Sequence, residues 1–137
     1  MQTMPALEIE EVKITEFPYK DRMYPVTGIS LRWLSKCGDD GKGGPEYGLR
    51  LFTAQPGGEI PIHSHFYHQT MYILEGEFEC YAYDSETDEL TETKLCGPGM
   101  NIYIPSMEPH GMKNVGPGQG SFLCCIANVY QDKEGVL

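Results

Sequence analysis

The sequence has no long apolar run and little positive charge. No stretch approaches the roughly 18 apolar residues that a membrane-spanning helix needs, and the first 13 residues lack the apolar region of a signal peptide. We therefore expect no membrane segment and a cytoplasmic location. Ten basic against twenty acidic residues give a formal charge of −10, which disfavours nucleic acids and anionic membranes as partners. A small anionic ligand is still compatible, because a bound cation or a buried arginine can dominate the local field.

Paired cysteine motifs are also missing. The five cysteines form no CxxC pair, and their odd number favours reduced thiols over disulfides or a zinc–thiolate site. Cys124 and Cys125 stand in the apolar run SFLCCIANVY, where we expect both to be small buried side chains.

Sustained helical periodicity is absent as well, whereas turn residues are frequent. The chain contains 16 Gly and 10 Pro, clustered at CGDDGKGGPEYG, QPGGEIP, CGPG and NVGPGQG. Between the clusters lie short β-branched and aromatic runs, which favours an all-β sandwich or barrel. The length fits one domain, residues 1–137. We predict an edge strand in the first dozen residues, loops at 38–45 and 84–88, and strands at 28–35, 47–54, 69–75, 77–84 and 90–95.

Three histidines lie in the stretch PIHSHFYHQ, residues 61–69. Alternate side chains of a strand share one face, so His63 and His65 project together and can serve as ligands for a divalent cation. His68 differs in parity from Gln69, so we expect it at the surface or in packing.

Two series of residues with ordered spacing surround these histidines. They resemble the two conserved motifs of the cupin superfamily. The first motif has a glycine, an HxH pair, an acidic position and a closing glycine, and the second has glycine, proline, histidine and asparagine. The first covers residues 57–76 and the second residues 99–114, with matches at Gly57, His63, His65, Gln69, Gly76, Gly99, Pro105, His110 and Asn114.

The resemblance implies a double-stranded β-helix, the jelly-roll or cupin barrel, that often pairs as a homodimer. It also implies one divalent transition metal per chain, such as Zn, Mn, Ni or Fe. Asn114 matches a position that is usually structural. Met107 stands where the second motif usually has glycine, so we expect an altered loop there. The ligands carried over by position are His63, His65, Gln69 and His110.

Gln69 replaces the glutamate of many cupins. Three neutral imidazoles and an amide leave a divalent site near +2 rather than +1, which strengthens its Lewis acidity and disfavours a ferric state. In the alternative interpretation, Gln69 is not a ligand but hydrogen-bonds a water beside the metal, which leaves more open positions.

Strand parity predicts the walls of a pocket beside the metal. Arg32 and Trp33 lie on a strand likewise predicted to border the cavity. An arginine that points inward suits a carboxylate, whereas the alternative is a surface position. The predicted pocket residues are Met71, Ile73, Met112, Asn128 and Arg50.

These residues predict a metalloenzyme that performs isomerisation, cyclisation or lyase chemistry on a small organic molecule, carboxylated or phenolic. Tyr130, Glu108 or a metal-bound hydroxide would move the proton, although Glu59 and Glu108 also fit solvated loop charges. The alternatives are a metal-dependent dioxygenase at the same ligands and a non-catalytic small-molecule-binding or sensor protein.

One cupin activity is disfavoured by the last strand. The cupins of pectin degradation that convert unsaturated uronates carry an Asp-x-Phe signature there. This sequence has Asn128 and Tyr130 at the corresponding positions, so we do not predict that activity.

Overall fold

The structure, a computed structural model, describes residues 1–127 and consists almost entirely of β-strands. Within that range the only helix is a 3-10 turn at Ala6–Glu8, and no helix is long and apolar enough to cross a bilayer. The strands are β1 (Val12–Tyr19), β2 (Arg22–Ser35), β3 (Tyr47–His63), β4 (Gln69–Glu75), β5 (Phe78–Tyr83), β6 (Leu90–Cys96), β7 (Asn101–Ile104), β8 (His110–Asn114) and β9 (Gly120–Ala127).

The strands form one curled antiparallel sheet. Their order is β6-β5-β8-β3-β9-β4-β7, with β2 also beside β3 and β1 beside β2. The first half of β3 pairs with β9, and its second half pairs with β8. One strand therefore connects both parts of the sheet around a common interior, and the predicted jelly-roll fold is confirmed.

The course of β3 corrects one prediction. The cluster QPGGEIP was expected to end a strand at residue 54, but β3 continues to His63. Gly57 has a φ of +77°, and a Cβ on Gly58 would lie 2.8 Å from the carbonyl oxygen of Gly28. The glycines thus permit a bend and a close crossing of β2 rather than a chain reversal. As a result, Arg50 and His63 lie on the same strand.

The prediction for the N-terminal strand was also wrong in its position. We expected it in the first dozen residues, but β1 begins at Val12 and pairs with β2 of the same chain. Pro18 and Pro25 obscured this hairpin, because proline lowers the strand propensity of a run. The correction matters because β1 delivers Phe17 to the interior, where its side chain is buried.

Met107 adopts a backbone conformation typical of glycine in the loop before β8. Its φ of +67° lies in the left-handed region that glycine adopts most easily. Its amide also donates a hydrogen bond of 2.8 Å to the carbonyl of His65. The methionine therefore adopts a glycine-like conformation, and the loop stays tied to the end of the first histidine stretch.

Aromatic side chains fill the closed part of the interior. Phe52 stacks on Phe122 with 4.9 Å between ring centroids, and Phe78 meets Phe122 edge-on at 5.5 Å. Ile73 and Ile126 complete this core without measurable exposure. These residues form a closely packed floor beneath the part of the barrel that stays open.

Asn114 holds three parts of the chain together. Its Nδ2 lies within hydrogen-bond distance of the carbonyls of Ala54 (3.0 Å), Gln55 (3.2 Å) and Gly118 (2.9 Å). Its Oδ1 accepts a hydrogen bond of 3.0 Å from the amide of Gly116. The side chain is buried, so it satisfies backbone groups that water does not reach.

Asn114→Ala should lower the free energy of unfolding by about 3 kcal/mol, because buried backbone groups lose their partners. Denaturant unfolding followed by circular dichroism measures this loss. The matched control is Asn101→Ala on the exposed side of β7, which should change stability by less than about 0.5 kcal/mol. Equal effects of the two substitutions would contradict a structural role for Asn114.

Candidate metal centre

Three histidines converge in the open part of the barrel. His63 at the end of β3 lies directly opposite His110 at the start of β8, and their ring centroids are 4.2 Å apart. The strands approach closely because Gly111 has no side chain: a Cβ there would lie 2.8 Å from the carbonyl oxygen of Ile60. With His65, the three rings place a ligand atom each within 4.8 Å of one another.

Each imidazole is held in one tautomer by a backbone carbonyl. The Nδ1–H of His63 donates to Pro61 at 2.9 Å, that of His65 to Tyr67 at 2.7 Å, and that of His110 to Glu108 at 2.8 Å. The proton therefore lies on Nδ1, and the lone pair on Nε2 is available. Metal-binding histidines typically have this arrangement, with the second nitrogen fixed by a hydrogen bond.

Burial keeps the three rings uncharged at neutral pH. Desolvation, followed by His110 and Arg50, lowers the pKa of His65 to about 4. Desolvation, followed by His110, His65 and Arg50, lowers the pKa of His63 well below its usual value. Desolvation alone lowers the pKa of His110 to about 4, partly opposed by its hydrogen bond to Glu108. Neutral imidazole is the form that binds a metal, so these three residues fit a divalent transition metal.

Gln69 lies beside the triad and belongs to a chain of hydrogen bonds. Its Nε2 donates to Nε2 of His110 at 3.2 Å, and its Oε1 accepts from the thiol of Cys124 at 3.4 Å. The same sulfur accepts from Nη2 of Arg50 at 3.1 Å. The amide of Gln69 is thus oriented from both ends, and its nitrogen rather than its oxygen faces the imidazoles.

The triad opens into a cavity of about 260 Å³. Phe17 stacks on His63 with centroids 4.8 Å apart, and Tyr67 stacks on His65 at 4.0 Å. These rings fix two of the imidazoles and give the cavity apolar walls. Such a space suits a small organic ligand with few polar groups.

The other predicted residues are distributed as follows. Met71, Met112 and Arg50 line the cavity, and Glu108 lies half-buried at its edge. Ile73 faces the interior but belongs to the core rather than to the cavity wall, which corrects that assignment. Asn128 and Tyr130 lie outside the described residues.

Three further residues lie away from the cavity. Arg32 pairs with Glu11 at 3.3 Å and donates to backbone carbonyls of the N-terminal segment. Of the two positions considered for it, inside the cavity or at the surface, it therefore occupies the surface one. His68 and Glu59 are exposed. Glu59 lies within β3 and not in a loop as expected, and its exposure favours a solvated charge.

Sequence reasoning missed the roles of Phe17, Tyr67 and Cys124. Cys124 was expected to be a small buried side chain and is buried, but it also connects Gln69 to Arg50. Strand parity could have placed it inward, since Met71 and Cys124 are partners in the β4–β9 register. Cys125 faces the other side and is only half-buried, because consecutive strand residues point to opposite faces.

Comparison with known proteins agrees with this geometry. The family model of the cupin domain matches residues 50–126, which include all three histidines and Gln69. No curated protein matches the sequence.

Solved structures share the fold over most of the chain. The polyketide cyclase RemF from Streptomyces resistomycificus has a TM-score of 0.72 at 23% identity, covering 93% of this chain and 80% of that chain. An RmlC-like cupin from Shewanella frigidimarina has a TM-score of 0.67 at 17% identity, covering 96% and 95%. A predicted oxalate decarboxylase from Thermotoga maritima has 0.69 at 17% identity, covering 92% and 98%. At such identities the likeness establishes the fold alone.

The metal-free protein should lose stability as the pH falls from about 6.5 to about 4. Histidines of the unfolded chain take up protons in this window, whereas His65 and His110 in the folded state do not until the pH nears 4. Each contributes a slope of about 1.4 kcal/mol per pH unit. Urea unfolding at a series of pH values, with a chelator present, measures the slope.

His110→Gln should reduce that slope by the contribution of one proton. His68→Gln, at an exposed position outside the cavity, is the control and should leave it unchanged. A slope that does not respond to His110→Gln would show that this ring is not kept neutral by folding.

Proposed function

The chain belongs to the cupin family, and on that basis we propose that it is a metalloenzyme whose His63, His65 and His110 hold one divalent transition metal. The observation that carries the proposal is the convergence of three neutral imidazoles, each with Nδ1 committed to a backbone carbonyl. This arrangement leaves the Nε2 lone pairs of His63 and His65 for one cation, and that of His110 once the Gln69 amide turns its nitrogen away. Packing alone does not require three rings to share a tautomer and to bring a ligand atom each within 4.8 Å of one another.

A metal held by these three histidines would supply Lewis-acid chemistry, polarising a carbonyl or hydroxyl oxygen of the substrate. The described ligand set contains no carboxylate, so the full charge of a divalent ion would act on the substrate. Isomerisation, cyclisation and lyase reactions all benefit from such polarisation. Ring closure by a polyketide cyclase, the activity named for one structure of the same fold, is chemistry of this kind.

Residues of the chain supply orientation, water exclusion and proton transfer. Phe17 and Tyr67 pack on two of the imidazoles and keep water from that side of the cavity. Glu108 lies at the cavity edge, and its own carbonyl accepts the proton of His110 Nδ1. Its carboxylate lines the cavity together with the more exposed one of Glu92, and we assign to Glu108 the role of accepting a substrate proton.

Gln69 serves as the fourth polar group of the centre. Its Nε2–H now occupies the lone pair of His110 that a cation would take. Rotation of the amide exchanges nitrogen and oxygen, and the thiol of Cys124 can accept from Nε2 as it now donates to Oε1. Cys124 thus accommodates either orientation of the amide.

Protein purified without added metal should contain about one transition-metal ion per chain, by elemental analysis. His110→Ala should reduce this below about 0.1, because two imidazoles bind a divalent ion far more weakly than three. The control His68→Ala should retain the metal. Failure to bind Zn, Mn, Ni or Fe after refilling would contradict the proposal.

The reaction class is tested with the metal-loaded protein and ketone-bearing or phenolic substrates under air and under nitrogen. A Lewis-acid enzyme gives the same turnover in both atmospheres. Oxygen uptake that matches product formation with the iron-loaded protein would instead favour a dioxygenase.

Gln69→Glu should tighten metal binding by roughly tenfold and lower turnover, because a carboxylate reduces the net charge at the metal. Competition with a chelator measures the affinity. Gln69→Ala, which removes the amide without adding charge, is the control and should not tighten binding. Loss of affinity in both variants would mean that a carboxylate at position 69 does not reach the ion.

A further inference from the structure

Arg50 is a buried cation beside the metal centre. Only 2% of its surface is exposed, and it lines the same cavity as the histidines. Its Nη2 donates to the sulfur of Cys124 at 3.1 Å. Its Nε has no hydrogen-bond partner. Within residues 1–127 no carboxylate forms an ion pair with it.

The surroundings compensate this charge only in part. The guanidinium carbon lies 5.0 Å from the ring centroid of Phe52 and 5.5 Å from that of Trp33, so both rings offer cation–π attraction. Cys124 does not supply a negative charge, because burial raises the pKa of its thiol despite the nearby guanidinium. A buried charge without a counter-ion is costly, and the structure therefore retains Arg50 at the expense of stability.

The charge of Arg50 also reaches the centre. Cys124 and Gln69 connect it to His110 through three hydrogen bonds, and it contributes to lowering the pKa of His63 and His65. The acidic side chains that line the cavity, Glu92 and Glu108, are exposed and half-buried respectively. A divalent ion at the triad would thus share the cavity with a second, unpaired cation.

We propose that Arg50 is a carboxylate-binding residue and that the natural ligand of the cavity is a small organic acid. The unpartnered Nε and its neighbouring Nη form the edge of a guanidinium that binds a carboxylate through two parallel hydrogen bonds. The apolar walls accommodate the body of the acid, and a second oxygen of the ligand lies toward the histidines. This inference rests on the proposed function for the second contact, whereas the contact with Arg50 does not need the metal.

The apolar lining of the cavity favours organic acids over inorganic anions as ligands. Phe17, Phe52 and Met71 line the cavity and offer inorganic phosphate no hydrogen bonds. An aromatic or aliphatic acid buries apolar surface there in addition to its carboxylate. A carboxylate with an apolar body is therefore preferred over a free inorganic oxyanion.

The test uses the full chain, freed of metal with a chelator, and benzoate as the probe. Trp33 is the only tryptophan of the sequence and lies against Arg50, so its fluorescence reports directly on this site. Calorimetric titration gives the affinity independently. Benzoate should bind at least tenfold more tightly than neutral benzamide and than inorganic phosphate, and it should change the emission of Trp33.

Arg50→Met should weaken benzoate binding at least tenfold. It should also raise the midpoint temperature of the ligand-free protein, because an uncompensated charge is replaced by an apolar side chain of similar length. Arg50→Lys keeps the charge but not the planar guanidinium, so its benzoate affinity should lie between those of the wild-type protein and Arg50→Met. Arg32→Met removes the surface arginine bonded to Glu11 and is the control that should leave the affinity unchanged.

Absence of benzoate binding, equal binding of benzoate and benzamide, or unchanged affinity in Arg50→Met would overturn the subsite. Phosphate binding as tightly as benzoate would overturn the assignment to organic acids. Metal content separates this inference from the proposed function: Arg50→Met should retain the metal that His110→Ala loses. Arg50-dependent benzoate binding in a protein that takes up no metal would leave the subsite standing and remove the metalloenzyme.

Discussion

The centre depends on the hydrogen bonds by which three imidazoles donate Nδ1–H to backbone carbonyls. Those carbonyls belong to residues within two positions of each histidine, so the local chain path fixes the tautomer and the direction of each ring. The barrel then brings the rings together, since His63 and His110 are opposite in the β3–β8 register. Without the carbonyl contacts the rings could rotate, and their lone pairs would no longer point at one position.

Charge is the second constraint on this cavity. The described polar groups in it are neutral or positive except near its edge, where Glu92 and Glu108 are exposed or half-buried. The positive charge of Arg50 and a cation bound at the triad would therefore share an interior that lacks negative charge. This arrangement is opposite to the acidic surface of the whole chain, whose formal charge is −10. Net charge describes long-range behaviour, whereas the local field at a buried site depends on the few groups that face it.

Much of the centre was predictable from sequence because its chemistry is encoded in spacing. His63 and His65 converge as expected, although His65 lies beyond the end of β3 and strand parity is therefore not the reason. The residues around them and around His110 resemble the cupin motifs. The strands β4 and β5 were also predictable, since turn residues bound them on both sides. Phe17 and Cys124 were not predictable in their roles, because their partners lie far away in sequence. The glycines of QPGGEIP misled the prediction of β3, since a glycine permits a bend as readily as a turn.

The sequence by itself determined the all-β class, the two motifs and the histidines that they contain, because strand periodicity and motif spacing are local properties. Only the tertiary structure decided which arginine faces the cavity: Arg50 is buried beside Cys124, whereas Arg32 pairs with Glu11 at the surface. The tertiary structure also decided which end of the Gln69 amide faces His110. Both choices depend on residues that pairing across the sheet brings together, and pairing between distant strands is not written in local periodicity.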